Sequence, residues 1–144
     1  MMSRLNTMRP ASPVSFQNSI GADTRQILVS DQIPYDFYIV QIRPSFALNT
    51  QRLLRLRFFV VDENDFPATS PAAGAPGAAG INLMANRGAQ DYIVGDGAEG
   101  EKDVPVGRTF ERGKRVAVDC HNTDASYAHT VDVLVDLLNA EAPA

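Results

Sequence analysis

The stretch VDCHNTDASYAHTVDVLVDLL (118–138) holds the chain's single cysteine, Cys120, and both histidines, His121 and His129. It also carries the carboxylates Asp119, Asp124, Asp132 and Asp136. These are the side chains of zinc sites and of nucleophilic centres. A zinc site needs three or four ligands converging at about 2.0–2.3 Å. Cys120 and His121 are sequence neighbours, and on a strand they project to opposite faces. His129 lies across a turn from them. The chain has no CxxC, HxH or HExxH. The pattern of a metal-binding cupin, two close histidines followed by Glu and a later His, is absent too. A thiolate nucleophile needs an accessible, electropositive niche. Cys120 instead follows the apolar residues VAV, and free cysteine is among the most buried residue types. No catalytic, metal-ligating or cofactor-binding residue is therefore expected, and no cofactor.

Other motifs fail on the same grounds. GDGAEG has glycines but no Lys-Ser/Thr and no helix after it, so it is no phosphate loop. DENDF resembles half a calcium loop without its glycine and closing glutamate. RLLRLR supplies Arg52, Arg55 and Arg57. It reads either as a solvated strand face or as a positive strip that docks on a carboxylate-rich partner.

The elements that would position these residues are strands. In YDFYIVQIRP, strict alternation would place Phe37, Ile39 and Gln41 on one face and Tyr38, Val40 and Ile42 on the other. Pro34 and Pro44 bracket that run. LLRLRFFVV places Leu54, Leu56, Phe58 and Val60 opposite Arg55, Arg57, Phe59 and Val61. In HTVDVLVDLL, Val131, Val133, Val135 and Leu137 share one face. Asp119, Asp132 and Asp136 are expected to face solvent or a neighbouring chain. NTDASYA is turn-rich, because Asn and Asp side chains bond nearby backbone. The cluster thus reads as a closing hairpin: strand, short loop, strand. Seven to nine short strands and no amphipathic helix predict an all-β antiparallel sandwich, jelly-roll-like.

Around this domain (14–138) lie three less regular segments. Residues 1–13 form an N-terminal arm with Arg4, Arg9 and no acidic residue. It reads as a frayed end or as a segment that orders on an acidic partner. Residues 67–80 contain only Pro, Ala, Thr, Ser and Gly, and predict a long flexible loop. Residues 139–144 are a small polar tail.

The whole chain has 144 residues, the length of one domain. Its formal net charge of -4 argues against direct binding of nucleic acid. No apolar run reaches the roughly 18–20 residues needed to span a bilayer, so no membrane is expected. The N-terminal residues lack the apolar core of a secretory signal. One cysteine makes no internal disulfide, in keeping with synthesis in a reducing cytoplasm. Eleven of the thirteen basic residues are Arg, the better partner for planar carboxylates.

The combination of PYDFYIVQIRPSFALNTQRLLRLRFFVV with RVAVDCHNTDASYAHTVDVLVDLL resembles small β-sandwich proteins of tailed-phage virions. The closing hairpin carries the likeness: a strand, NTD, a spacer, then AHTVDV. Within that group it is similar to capsid cement or decoration proteins. The resemblance implies a non-enzymatic protein on the virion capsid surface, made in the host cytoplasm. It implies the major capsid protein as partner and a homo-oligomer, dimer or trimer. The residues expected to meet the partner are Arg4, Arg9, Arg52, Arg55 and Arg57. Two other functions compete. One is a carbohydrate-binding or adhesin module, disfavoured by the absence of Trp. The other is a metal-dependent jelly-roll enzyme.

Overall fold

The computed structural model describes residues 8–62, 80–84, 92–97, 103–141 and the backbone of 99–100. Arg4 and residues 67–79 of the expected loop lie outside the described residues. Among the described residues eleven strands are formed and no helix. They are β1 (Arg9–Pro10), β2 (Val14–Ile20), β3 (Thr24–Val29), β4 (Phe37–Ser45), β5 (Leu54–Val61) and β6 (Ile81–Asn82). After these come β7 (Gly95–Asp96), β8 (Glu99–Gly100), β9 (Val104–Phe110), β10 (Arg115–Asn122) and β11 (His129–Asn139). The expected all-β, antiparallel class holds.

Two sheets carry the molecule. In the first, β11 pairs with β1 and β2 along one side and with β4 on the other, and β9 flanks β4. The second runs β3-β10-β5-β6. One apolar core joins them. Ile39, Ile42, Val133 and Val135 come from the first sheet, and Leu56, Phe58, Val118 and Cys120 from the second. Alternation explains most of this. In β5, Leu54, Leu56, Phe58 and Val60 enter the shared core. In β11, Val131, Val133, Val135 and Leu137 do the same. Phe59 and Val61 point the other way, into a second small cluster with Ile27, Ala117 and Val29. β5 is thus buried on both faces at its C-terminal end, which accounts for the unbroken apolar run FFVV.

β4 departs from the expected alternation. Ile42 is fully buried with Phe37 and Ile39, whereas Gln41 is only half-buried. Val40 is the extra residue of a β-bulge. Pairing with β11 passes from Gln41↔Asp136 directly to Ile39↔Leu137. Pairing with β9 jumps from Gln41↔Pro105 to Ile39↔Arg108. One unpaired residue switches every later side chain to the opposite face. Pro44 lies inside the strand rather than beyond it, opposite Val133. The last described β9 pair is Ile42↔Val104, so among the described residues Pro44 has a strand neighbour on one side only. A residue lacking an N–H is tolerated at such an edge. Arg9 and Pro10, read from sequence as arm, pair with Asn139 and Leu138.

Leu56 sits at 1% exposure in the centre of the shared core. We expect Leu56→Ala to lower the unfolding free energy by about 2–5 kcal/mol. Thr130→Ala, on an exposed position of β11, should change it by less than about 0.5 kcal/mol. Denaturant titration followed by fluorescence or circular dichroism measures both.

Candidate functional site

The Cys, His and Asp side chains of the opening stretch are consumed one by one by the fold. β10 is the central partner of β3 and β5, so its alternate residues face two different environments. Val116, Val118 and Cys120 enter the core. Burial, reinforced by the charge of Asp119, pushes the Cys120 thiol far above its ordinary range. Its Sγ donates weakly to the Val118 carbonyl at 3.7 Å. His121 projects from the opposite face, as strand geometry requires.

Asn122 is the inward-facing end of β10 and is fully buried. Its Nδ2 donates to the carbonyls of Ile20, Gly21 and Tyr127 at 3.1, 3.1 and 2.9 Å. Its Oδ1 accepts the Asp124 N–H at 3.0 Å. One side chain therefore satisfies backbone groups from the β2–β3 turn and from the closing loop. Thr123 adds a second tie, donating its N–H and its hydroxyl to the Leu53 carbonyl at 2.8 and 2.7 Å. Asp124 accepts the Ser126 and Tyr127 N–H groups on Oδ1 and meets His129 Nε2 on Oδ2 at 2.8 Å. The Ser126 amide first, then His129, hold this carboxyl below the usual carboxylate range. The Asp124–His129 pair resembles two thirds of a catalytic triad. Among the described residues, however, no hydroxyl or thiol hydrogen-bonds the second ring nitrogen of His129. The NTD sequence is a fastening of loop to loop.

Asp119 overturns its expectation. It is fully buried rather than facing solvent. Arg25 of β3 clasps it with Nε on Oδ1 at 2.9 Å and Nη2 on Oδ2 at 2.6 Å. That two-pronged hydrogen bond raises the Arg25 pKa against the opposing effect of burial. The outer face of the second sheet is itself partly covered, and a central-strand carboxylate there needs a partner. Asp132 is exposed, as expected. Asp136 is held below its ordinary pKa, chiefly by Arg43, which bonds both its oxygens.

The same outer face collects cations. Arg57 lies opposite Asp119 and Arg55 opposite His121 across β5 and β10. His121 also faces Arg25 across β10 and β3. The Tyr92 ring lies beside both β5 arginines, with guanidinium carbons 4.7 Å (Arg55) and 5.2 Å (Arg57) from its centroid. Such cation–π contacts contribute roughly 0.5–1 kcal/mol each at exposed sites. His121 senses the resulting field. Burial first, then Arg55, Arg25 and Arg57, lower its pKa, and Asp119 only partly offsets them.

Of the expected contact residues, Arg55 and Arg57 are thus brought together. Arg9 is exposed in β1 on the other sheet. Arg52 is exposed in the turn before β5 with a left-handed φ of 59°. Sequence reasoning missed Arg25, His121 and Tyr92 as members of this face. Arg25 alternates with Ile27 in TRQILV, which was a usable local signal. Its place beside Asp119 depends on strand order, and nothing in the sequence marks Tyr92. No group of three or more His, Cys, Asp or Glu suited to a metal ion occurs among the described residues. No family model matches the chain, and no curated protein matches it.

Two outcomes follow from this geometry. Native protein should leave Cys120 unmodified by a thiol-alkylating reagent on the timescale that labels it fully in denaturant; mass spectrometry reads the difference. The lowered pKa of His121 means that the unfolded chain binds the proton more tightly than the folded one. The stability tied to a neutral His121 is present above the unfolded value of about 6.5 and is lost as pH falls below it. Unfolding midpoints should therefore decline between about pH 7.5 and about pH 5.5, and His121→Gln should flatten that decline.

Proposed function

We propose that the chain is a non-enzymatic structural protein of a bacteriophage virion, a cement or decoration protein that clamps the major capsid protein shell from its outer surface. The observation that carries this reading is the ordered cationic strip on the second sheet. Arg55 and Arg57 stand two residues apart on a strand that is rigid by burial, with Tyr92 packed beside both guanidiniums. A guanidinium already held in place loses less side-chain entropy when it binds a carboxylate in two-pronged fashion. Arg52 would extend the contact from the turn before β5, while Arg9, on the other sheet, and Arg4 of the arm would meet a second surface of the shell.

A jelly roll is the architecture this role calls for, one common among viral capsid domains. The strand order supports it. Successive strands β2, β3, β4 and β5 alternate between the sheets, and β9, β10 and β11 do the same. The spatial orders β2-β11-β4-β9 and β3-β10-β5-β6 have the nested pairing of two Greek keys. The energetics fit as well. A standard interface removes about 1,600 Å² from water. Repetition over many capsid sites, by a dimer or trimer of this chain, multiplies modest contacts by avidity.

The test uses capsids stripped of this protein. Purified chain should bind them, raise their melting temperature, and lose affinity as salt increases. Arg55→Ala/Arg57→Ala should weaken binding at least about tenfold while leaving the fold intact. Absence of binding, with no rise in capsid melting temperature, would sink the proposal.

A further inference from the structure

At the end of the sandwich where Asn122 fastens the loops, a cleft of about 580 Å³ opens between residues 47–51 and the closing loop. That volume lies within the range of small-ligand sites. The walls are built to stay still. The Ala47 carbonyl accepts the Gly97 N–H at 3.1 Å and the Thr50 hydroxyl at 2.6 Å. Leu53 donates to Thr50, and Arg52 to Gly95. Within this braced loop Asn49, Gln51 and Arg52 all hold left-handed backbone, at φ 71°, 54° and 59°. Three non-glycine residues in that region cost free energy that surrounding hydrogen bonds must offset, and such conformations cluster at binding sites. Leu48 rests over Gly97, itself left-handed, where an added Cβ would lie 2.4 Å from the leucine Cδ2.

On the opposite wall the backbone of Tyr127 is pinned at both ends. Its N–H donates to Asp124 and its carbonyl accepts from Asn122. The residue nevertheless stands 70% exposed in the lining of the cleft, on a fastened main chain. The neutral polar groups around it are amides, hydroxyls and an imidazole, from Asn49, Gln51, Ser126, Thr130 and His129, beside the apolar Ala47, Leu48 and Ala128. Among the described residues Asp124 is the lining's one carboxyl group, and three hydrogen bonds already engage it. Among the described residues no Lys or Arg lines the cleft.

An exposed tyrosine beside amides and hydroxyls on a braced backbone, with no cation among the described lining residues, does not suit phosphate or an acidic peptide. It suits a neutral polyhydroxylated ring, whose C–H face packs on tyrosine and whose hydroxyls pair with Asn49 and Gln51. We infer that this cleft binds a neutral sugar unit. Tyr127 is the stacking platform, Asn49 and Gln51 are the hydroxyl readers, and the second ring nitrogen of His129 is a further partner. The site lies at the loop end of the molecule and does not use the Arg55–Arg57 strip. It therefore stands or falls independently of the capsid reading.

Saturation-transfer NMR with maltose, lactose and chitobiose at millimolar concentration tests it. Wild-type protein should transfer saturation to the ring protons of at least one disaccharide. Tyr127→Phe should retain that transfer, and Tyr127→Ala should weaken binding about tenfold or more. The tyrosine ring is exposed and only its backbone fastens the loop, so both variants should melt close to wild type; Gln51→Ala offers a second weakening at the opposite wall. Absence of transfer to all three sugars, or transfer undiminished in both Tyr127→Ala and Gln51→Ala, would overturn the assignment.

Discussion

Asn122 is the constraint on which the end of this sandwich depends. A sandwich whose successive strands cross between sheets must bring several loops together at each end, and every loop arrives with backbone groups needing partners. The buried amide of Asn122 meets three carbonyls and one N–H from two different loops. Its neighbours finish the work. Thr123 reaches Leu53, and Asp124 closes the turn and orients His129. An apolar residue of similar size would unmake the buried bond to Ile20 and the part-buried bonds to Gly21 and Tyr127, at roughly 1–3 kcal/mol for a group left buried without a partner. The stretch that most resembled a reactive centre is consumed by this fastening.

The molecule separates its charges by face. Inside, Cys120 is a packed thiol with a strongly raised pKa. On the outer face of the second sheet, the buried Arg25–Asp119 pair anchors one end of a cationic group. Buried ion pairs contribute little net stability compared with well-packed apolar residues, yet they are costly to break singly. Their effect here is positional. Arg25 and Asp119 sit beside His121, Arg55 and Arg57, and burial followed by the three arginines lowers the proton affinity of His121 against the opposing charge of Asp119. The loop end differs, with neutral amides and hydroxyls and the engaged Asp124 carboxylate around an exposed tyrosine.

Much of the sheet structure was legible in the sequence because period two is a local property. β5 and β11 place their core residues as alternation requires, and the separation of Cys120 from His121 needed only strand geometry. The failures are non-local. The bulge at Val40 is visible only in the pairing of β4 with two neighbours, and it moves Ile42 to the core in place of Gln41. Asp119 looked like any alternating surface carboxylate until strand order put Arg25 beside it. Arg55 and Arg57 were readable as a pair. Their association with Tyr92 joins segments distant in sequence, as does the cleft between Asn49 and Tyr127.

Hydrogen–deuterium exchange of Asn122→Ala against wild type tests the fastening most directly. The account predicts that the Asp124 and Tyr127 amides and those of the β2–β3 turn lose protection by at least an order of magnitude, while the central amides of β5 and β10 lose less. Unchanged protection at Asp124 and Tyr127 would contradict it.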